Sequence, residues 1–492
     1  MCGITAVLSR QSPIDPQLMH AGMAALHHRG PDGRQHWMSG DRRVALGHTR
    51  LSIIDLATGD QPISNEDNTI HIVVNGEFYD FERTRTELQA RGHKFRSKSD
   101  SEIALHLYEE YGPECLHHLR GEYAFVIWDE RNQRMIAGRD RFGVKPLFYA
   151  EHDGALYFAS EAKALFAMGV PARWSPDALY AGGYVIPSDR TLFGGVFNVP
   201  PGHYLRATRE AHRAHQYWDV DYLRDDDVQA PKSDAEYIAG FREVLEDAVK
   251  TRLRADVPVG CYLSGGIDSC AVLGLAARHH DGPVRAYTLT FDHAQYDESV
   301  IAEDMARHVG ATFQPIPMTQ ASLGENFRAA VIQSEIPFIN GHTVAKYMLS
   351  DAVRKDGYKV VLTGEGSDEI LAGYPHFRQD MLLHHTAGQD PAETARLLKQ
   401  LADDNPVSRG LLLPEGDTGV GPICQTLLGS VPTGLAAMSA TVGRMHGMMS
   451  DDFLDEHRSG DVLGALLASL DVERRLKGRN AVHTALYLWA KT

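Results

Sequence analysis

The sequence predicts two domains of different fold class, an α+β sandwich followed by an α/β domain built on a parallel sheet. Three observations predict this division: short β-rich runs recur in the first half, an acidic polar stretch follows near residue 215, and strand–loop–helix units come after it. A chain of 492 residues also has room for two or three domains of about 100–200 residues each. We expect domains at 1–215 and 235–492, with a linker at 216–234.

The first half contains short β-branched or aromatic runs separated by turn residues, a pattern typical of strands. The predicted strands are Ile4–Leu8, Ile70–Val74, Tyr123–Trp128, Met135–Gly138, Leu147–Tyr149 and Leu156–Phe158. Helical spacing of apolar residues predicts helices at Phe81–Arg91 and Ser101–Tyr111. This mixture of elements favours an α+β sandwich over a doubly wound sheet in this half.

The second half opens with an amphipathic helix predicted at Ala235–Arg254, which Ser233 or Asp234 can cap. Its apolar positions are Tyr237, Phe241, Val244, Leu245, Ala248 and Val249. Further strands are predicted at Val257–Leu263, Arg285–Phe291 and Lys359–Thr363, with helices between them and a mainly helical region from Tyr374 onward. This alternation favours a parallel sheet with crossover helices.

Composition and charge exclude several classes of protein. With 43% hydrophobic and 23% charged residues the composition is that of a globular protein, and no apolar run is long enough for a membrane span. The net charge of −16 disfavours binding to nucleic acid, whose backbone is also negative. The five cysteines are odd in number and scattered, without zinc-ligand spacing, and no secretory signal begins the chain, so we expect a cytoplasmic protein with reduced thiols.

Cys2 is a candidate nucleophile because of its position. Removal of Met1 would give Cys2 a free α-amine beside its thiol, and an amine with a pKa of about 7.7–8 is a suitable local base. One residue would then supply both the attacking thiolate and the proton acceptor. Gly3 would let the start of the chain lie close to a substrate.

Three further positions carry groups that suit this chemistry. Asn75 and Gly76 follow the predicted strand Ile70–Val74, where a side-chain amide and a backbone N–H can form an oxyanion hole, although Asn-Gly is also a common turn. Arg50, just ahead of an apolar segment expected to be a strand, can clamp a carboxylate. Asp100 either caps the following helix or holds a substrate ammonium group.

The segment LSGGIDS (Leu263–Ser269) lies between a predicted strand and a predicted helix. Its backbone N–H groups and hydroxyls can surround a pyrophosphate at the start of the helix, and Asp268 can ligate Mg²⁺. The spacing and lysine of a Walker loop are absent. A second strand-to-helix segment, Val361–Tyr374, carries Glu365, Asp368 and Glu369, which suit either a metal site or an ordinary charged helix start.

Motifs in the first 205 residues resemble those of the N-terminal-nucleophile glutaminase domain of class II glutamine amidotransferases. They are, in order, MCGI, HHRGPDG, GHTRLSIID, NGEFYD, SDSE, RDRFGVKPLFY, FASEAKAL and NVPPGHYL. With SGGIDS and GEGSDE, the whole chain resembles glutamine-hydrolysing asparagine synthetases. The resemblance implies an αββα sandwich followed by a doubly wound ATP-pyrophosphatase domain with extra helices.

The resemblance also implies roles in the first domain. Cys2 would attack the side-chain amide of glutamine, and Asn75 and Gly76 would stabilise the oxyanion. Arg50 would bind the glutamine α-carboxylate, while Glu77 and Asp100 would bind its α-ammonium. A thioester would form, ammonia would leave, and water would regenerate Cys2.

In the second domain the resemblance implies an ATP–Mg²⁺ site. Asp268 and Asp368 would be the Mg²⁺ ligands, and Glu365 would be an acid–base residue. The remaining ATP-binding residues would be Leu263, Ser264, Gly265, Gly266, Ser269, Leu289, Thr363 and Gly364, together with Asp268. The partners would be glutamine, ATP and aspartate, with neither nucleic acid nor a membrane, and a homodimer is a further expectation.

The expected reaction is adenylation of aspartate and its amidation by ammonia from glutamine, giving asparagine, AMP and pyrophosphate. One alternative is the same chemistry on another carboxylic acid of a biosynthetic pathway. A second is a glutaminase alone, because the sequence stops at Thr492 inside an apolar helical pattern, before segments in which the family carries an Arg, a Glu and a Lys for the acceptor. A non-catalytic interaction protein and a phosphoribosyl-transferring amidotransferase fit the motifs less well.

Overall fold

The computed structural model describes residues 1–183, 185–222, 232–293, 296–338, 340–385, 388–406, 408–414, 418–457, 462–477 and 479–491. The chain forms two compact units. The first unit comprises Met1–Ala172, Gly195–Asp219 and Ser233–Gly364, and the second comprises Arg173–Gly194, Val220–Lys232 and Glu365–Thr492. Residues 223–231 of the predicted linker at 216–234 lie outside the described residues.

The N-terminal part of the first unit consists of strands and a few helices. The strands are β1 (Gly3–Ser9), β2 (Gly33–Met38), β3 (Val44–Arg50), β4 (Ile63–Ser64), β5 (Ile70–Phe78), β6 (Gly121–Asp129), β7 (Arg134–Arg139), β8 (Phe148–His152), β9 (Ala155–Ala159), β10 (Val196–Asn198), β11 (His203–Ala207) and β12 (His212–Gln216). The helices are α1 (Pro16–Ala25), α2 (Phe81–Ala90), α3 (Glu102–Tyr111), α4 (Cys115–His118) and α5 (Ala162–Ala167).

These strands form two antiparallel six-stranded sheets, ordered β10-β8-β9-β1-β3-β2 and β12-β11-β7-β6-β5-β4. Apolar side chains of both sheets, among them Ile4, Leu46, Val73, Val126 and Phe158, form one buried core. Helices α1 and α5 pack on the first sheet, and α2 and α3 pack on the second. The αββα sandwich is therefore confirmed, because each sheet buries one face against the other sheet and one against helices.

The rest of the first unit is a parallel α/β layer. Its strands β13 (Val259–Tyr262), β14 (Arg285–Phe291), β15 (Thr312–Met318) and β16 (Val360–Leu362) lie in the order β15-β14-β13-β16. The helices in this part are α7 (Asp234–Arg252), α8 (Ile267–His279), α9 (Ser299–His308), α10 (Gln320–Ser334) and α11 (His342–Lys355). Since the chain moves outward from β13 to β15 and then returns to the other side of β13, the predicted doubly wound sheet is confirmed, with its switch point between β13 and β16.

The described part of the second unit is mainly helical. One helix, α6 (Pro176–Tyr180), comes from its N-terminal segment; the others are α12 (Ser367–Leu371), α13 (Pro375–His384), α14 (Pro391–Asp404), α15 (Gly421–Leu428), α16 (Thr433–His446), α17 (Asp451–His457), α18 (Val462–Ser469), α19 (Val472–Arg475) and α20 (Ala481–Lys491). Their core includes Cys424, Leu435, Leu466 and Tyr487. None of the helices in the described ranges is long and apolar enough to cross a membrane.

Two local expectations were wrong, and one of the two alternatives for Asp100 is excluded. Arg50 ends strand β3 rather than preceding a strand, because the Gly- and His-containing segment Val44–Arg50 pairs along its length with β1 and β2. Asn75 and Gly76 lie inside β5, because pairing with β6 continues through them. Asp100 does not cap a helix: α3 begins after Ser101, and the Asp100 carboxylate accepts a bond from the backbone N–H of Phe78 instead.

Helix α7 forms where it was predicted, and Ser233 and Glu236 make a capping box at its start. The expected burial of its apolar positions holds only near its C-terminal end. Val249 is 4% exposed, whereas Tyr237, Phe241 and Val244 are between 49% and 68% exposed.

Candidate active sites

Cys2 lies immediately before β1, at one end of the first sheet. Its thiol sulfur faces the segment after β3, where the Leu51 backbone N–H donates to Sγ at 3.4 Å. The Arg29 guanidinium donates from Nε to the Cys2 carbonyl at 2.9 Å, which fixes the backbone of this residue. A Cβ at Gly3 would lie 2.5 Å from Thr49 Oγ1 and 2.8 Å from Leu26 Cβ, so close packing requires glycine next to Cys2.

A cavity of about 60 Å³ opens beside Cys2. It is lined by Met1, Cys2, Arg50, Leu51, Ile53, Ile54, Gly59, Gln61, Asn75, Gly76, Glu77, Ser99, Asp100, Ser101 and Lys145. All six residues that the sequence predicted for glutamine chemistry therefore meet around one cavity. Met1 occupies part of its wall, so removal of Met1 enlarges the space beside the Cys2 thiol.

The Asn75 side chain lies in the cavity wall with an amide group that is free to bind a ligand. Its side chain is fully buried, yet neither Nδ2 nor Oδ1 has a hydrogen-bond partner among the described residues. An unpaired buried amide costs about 1–3 kcal/mol, a cost that a ligand oxygen accepting from Nδ2 would remove. A Cβ at Gly76 would lie 2.3 Å from the Glu122 carbonyl oxygen, so strand pairing requires glycine there.

Arg50 is held in place on one side of the cavity. Its Nη1 pairs with Asp60 Oδ1 at 2.9 Å, and its Nη2 donates to the Asp55 carbonyl. The side chain is 8% exposed. A buried guanidinium fixed in this way can present its remaining N–H groups to a carboxylate without losing further side-chain freedom.

The segment from Leu51 to Asp55, which forms part of the cavity wall, is bonded to the parallel-sheet region. The Asp55 N–H donates to Asp256 Oδ2 at 2.8 Å, and the Asp256 N–H donates to the Ile53 carbonyl at 2.9 Å. Nearby, Lys359 Nζ donates to Asp32 Oδ2 at 2.6 Å. The cavity beside Cys2 is thus braced by residues far along the chain.

The SGGIDS loop joins β13 to α8 at the carboxyl end of the parallel sheet. Gly265 has a φ of +85°, a backbone conformation that favours glycine. Inside the loop, Ser269 Oγ donates to the Gly266 carbonyl at 3.0 Å and lies 3.1 Å from Ser264 Oγ. The loop is held in a turn that leaves Ser264 and Gly266 exposed at the start of a 13-residue helix, an arrangement suited to phosphate.

Thr363 and Gly364 follow β16, the strand next to β13. A Cβ at Gly364 would lie 2.8 Å from Asp268 Cβ and 2.9 Å from the Ser269 nitrogen, so the two loops approach closely. Leu263 is buried beside them, and Leu289 lies in β14 on the other side of β13. The first-unit residues predicted to bind ATP therefore gather at the switch point of the sheet, where ligands of such folds bind.

Comparison with known protein families gives two matches, in the order in which the sequence predicted the two domains. A family model described as a glutamine amidotransferase domain matches residues 1–218, and a model described as asparagine synthase matches residues 240–492. The chain belongs to the asparagine synthase family.

Curated relatives of this asparagine synthase family member carry two kinds of name. The chain is 40% identical to amidase chry2 of Gibberella zeae and 41% identical to amidase chyE of Penicillium rubens, each match covering 78% of this chain and 60% of the relative. It is 34% identical to the glutamine-hydrolysing asparagine synthetase 3 of Bacillus subtilis, covering 77% of this chain and 64% of that protein. The chain thus spans about three fifths of the length of the relatives it matches.

The remaining residues predicted for the ATP–Mg²⁺ site of this asparagine synthase family member lie in its second unit. Glu365 begins this unit, and Asp368 and Glu369 lie in α12. Glu369 Oε1 accepts a bond from the Tyr374 hydroxyl at 2.7 Å. A Cβ at Gly373 would lie 1.9 Å from Asp368 Oδ1, so the absence of a side chain at Gly373 makes room for this carboxylate.

Sequence reasoning missed Arg29 and Lys145 as residues of the Cys2 site. Arg29 bonds the Cys2 carbonyl and also Glu161, whose Oε1 lies 2.8 Å from Arg29 Nη1. Lys145 lines the cavity, and its Nζ donates to Glu122 at 3.2 Å. Both residues belong to strings that carried the family resemblance, HHRGPDG and RDRFGVKPLFY, and that was the signal available to find them.

The two carboxylates predicted to hold the substrate ammonium have raised pKa values. Burial, reinforced by the neighbouring Asp100, raises the pKa of Glu77 to about 7. Burial likewise raises the pKa of Asp100 to about 6, against the hydrogen bonds that it accepts. A bound cation would favour the charged form of both groups.

Under the roles predicted for Glu77 and Asp100, glutamine binding should weaken in acid. The ionised carboxylates would attract the ammonium group and are present above their pKa values, so this attraction would be lost as the pH falls through 7 and then 6. We expect the KM for glutamine to rise steadily between pH 7.5 and 5.5 in steady-state glutaminase assays. For an analogue that lacks the α-amine, KM should change much less; equal pH profiles for the two substrates would contradict the assignment.

Proposed function

We propose that this protein is a glutamine-dependent amide ligase that activates a carboxylic acid with ATP. The observation that carries the proposal is the presence of two built sites in one chain, a cysteine pocket with an unpaired asparagine amide and a glycine-rich loop at a sheet switch point. A dead scaffold would gain nothing from leaving the Asn75 amide buried and unpaired.

In the proposed first half-reaction, the Cys2 thiolate attacks the side-chain carbonyl carbon of glutamine. Its freed α-amine takes the thiol proton, and Asn75 Nδ2 with the Gly76 N–H stabilises the oxyanion. The carbon–nitrogen bond then breaks, ammonia leaves with that proton, and water hydrolyses the thioester to glutamate. Arg50, Glu77 and Asp100 orient the amino acid by its two charged groups.

In the proposed second half-reaction, an oxygen of the acceptor carboxylate attacks the α-phosphorus of ATP, and pyrophosphate leaves. Ammonia then attacks the acyl carbon of the mixed anhydride, and AMP leaves with the carboxylate oxygen. Ser264, Gly265, Gly266 and Ser269 bind the phosphates, and the Leu263, Leu289, Thr363 and Gly364 positions border the nucleoside. Asp268 and Asp368 would hold Mg²⁺, which neutralises phosphate charge, and Glu365 would act as the acid–base residue.

Aspartate is the first candidate acceptor, since the family includes asparagine synthetases. Another carboxylic acid of a biosynthetic pathway is the second, because two relatives that are 40% and 41% identical to the chain are named amidases rather than asparagine synthetases.

The deciding experiment is incubation of the protein with glutamine, ATP, Mg²⁺ and a panel of acids that includes aspartate and aromatic or aliphatic acids. Mass spectrometry should detect one amide, AMP and pyrophosphate in equal amounts. Production of ADP and phosphate would contradict adenylation. Glutamate without AMP for every acid tested would leave only the glutaminase.

Loss of the proposed oxyanion donor should slow glutamine hydrolysis strongly. Replacing Asn75 with Ala removes Nδ2, and removal of one such donor elsewhere lowers kcat by about 10²–10³. The Asn75→Ala protein should unfold at the wild-type temperature or above it, because the amide makes no hydrogen bond to the described residues and its burial is costly. A kcat within a factor of a few of the wild-type value would remove Asn75 from the mechanism.

A further inference from the structure

A cluster of histidine and glutamate side chains lies in the helical layer over the second sheet of the sandwich. Its members are Glu66 in the β4–β5 turn, His93 after α2, and His106 and Glu109 on α3. One ligand atom from each residue can be chosen so that all four lie within 4.8 Å of one another. Among the described residues, this set has the composition and closeness of a metal site.

We propose that these four side chains bind a divalent transition-metal cation of the zinc type. Zinc accepts imidazole nitrogen and carboxylate oxygen at about 2.0–2.2 Å in tetrahedral sites, which places ligand atoms roughly 3.3 Å apart. His106 Nδ1 lies 2.7 Å from Glu109 Oε2, and His93 Nδ1 lies 3.5 Å from the same oxygen and 3.7 Å from Glu66 Oε1. These three separations bracket the spacing of ligand atoms in a tetrahedral site.

The groups behind the four ligands support this assignment. Zinc-binding histidines usually hold a carboxylate or carbonyl with their other ring nitrogen. His93 Nε2 lies 3.0 Å from Glu110 Oε1, and His106 Nε2 lies 3.6 Å from Glu102 Oε1. Both histidines are thus arranged to ligate through Nδ1 with a carboxylate behind Nε2.

The glutamate ligands are oriented in the same way. Glu109 Oε1 accepts from Asn65 Nδ2 at 2.7 Å, which leaves Oε2 turned toward the histidines. Glu66 Oε1 accepts from the Lys94 N–H at 2.7 Å, and Glu66 Oε2 lies 4.0 Å from His106 Nδ1. Each of the four ligand side chains therefore has a neighbour that sets its orientation, as in a built site rather than a chance meeting of surface charges.

Burial and charge also favour a divalent cation. The His106 and Glu102 side chains are fully buried, and those of His93 and Glu109 are 13% and 14% exposed. Glu66, at 32%, leaves a route for entry. The four carboxylates of Glu66, Glu102, Glu109 and Glu110 carry four negative charges, of which Arg91 offsets one at Glu110. A 2+ ion neutralises the remainder better than one proton on a histidine would.

The site would brace the loop that leads to the glutamine pocket. Glu102, behind His106, accepts bonds from the Arg96 N–H at 2.7 Å and from the Ser97 N–H at 2.8 Å. The same loop continues to Ser99 and Asp100 at the cavity beside Cys2. The metal would act as a structural clamp, remote from the reacting atoms, whose loss loosens this loop.

The test is direct metal binding. The chain carrying Cys2→Ala, which removes the thiol of the cavity beside Cys2 as a competing zinc ligand, is stripped with chelator and titrated with Zn²⁺ by calorimetry, and bound metal is counted after gel filtration. We expect one Zn²⁺ per chain that excess Mg²⁺ does not displace, a rise in the unfolding temperature on reloading, and a tetrahedral visible spectrum with Co²⁺. No stoichiometric binding would overturn the proposal and would leave a protonated His106 between Glu102 and Glu109 as the account of the cluster.

Variants locate the ion. His93→Gln and Glu109→Gln should each weaken Zn²⁺ binding at least ~100-fold, and Glu102→Gln by about 10–100-fold through the histidine it supports. The matched control is His117→Gln, which removes an exposed histidine that pairs with Glu114 at 3.3 Å. Zinc binding that survives His93→Gln and Glu109→Gln unchanged would place the ion elsewhere and overturn the proposal.

Discussion

Replacing Cys2 with Ala should lower glutamine hydrolysis by several orders of magnitude, on the order of the 10⁶-fold loss seen when a catalytic nucleophile is removed. Covalent catalysis has no other thiol available in the cavity, whose described lining contains no second cysteine. ATP-dependent amide synthesis from ammonium salts should persist at high pH, since the proposed phosphate loop follows a strand of the parallel sheet and not of the sandwich. Glutamate release and amide formation measured on the same preparation check both statements.

The control for this change is Cys2→Ser, which keeps the size and polarity of the side chain and replaces the sulfur nucleophile with a weaker one. Both variants should unfold at the wild-type temperature, because the Cys2 sulfur makes only weak contacts with the Leu51 backbone. A Cys2→Ala protein that hydrolyses glutamine at the wild-type rate would refute the nucleophile.

Replacing Asp268 with Asn should abolish most pyrophosphate release while leaving glutamine hydrolysis intact. The change removes one carboxylate charge from the proposed Mg²⁺–phosphate site, and metal stabilisation of such a transition state amounts to several kcal/mol. At 1.36 kcal/mol per tenfold, the rate of AMP formation should fall at least ~100-fold. Asp368→Asn is expected to have a similar effect through the second proposed ligand.

The matched control is Asp281→Asn, which removes an exposed carboxylate just beyond the other end of the same helix α8. It should leave pyrophosphate release unchanged, which separates loss of a ligand from loss of negative charge. If Asp268→Asn and Asp368→Asn both release pyrophosphate normally, the phosphate-loop assignment is wrong.

The sequence predicted the fold class and the candidate site residues because both are carried by short contiguous motifs with distinctive chemistry. Leu263–Ser269 is one such string, and its strand–loop–helix setting follows from local composition. The need for glycine at position 76 of the Cys2 site does not follow from such a local string. The requirement for Gly76 comes from strand β6, far along the chain, so only the structure shows why no side chain fits there.

Local patterns failed where burial depends on distant contacts. The strand ending at Arg50 was missed because it contains Ala45 and Gly47, residue types that are depleted in strands, and pairing with β1 and β2 overrides that preference. Helical periodicity placed Phe241 and Val244 correctly on one face of α7, but it cannot say what covers a face, and both are exposed. The His93–His106 cluster was missed because its ligands come from three separate elements.

The hydrogen bonds that Asp256 makes, donating to Ile53 and accepting from Asp55, affect how modules of this family can be exchanged. The boundary between the two family matches lies between residues 218 and 240, yet a wall of the cavity beside Cys2 is held by hydrogen bonds to a residue beyond that boundary. A chimera that joins this N-terminal module to a relative's second module inherits whatever residue that relative places opposite Asp55. Grafts should therefore keep Asp256 and Lys359 with the N-terminal module. The segment to transfer is then chosen by its contacts and not by the boundary between the two family matches.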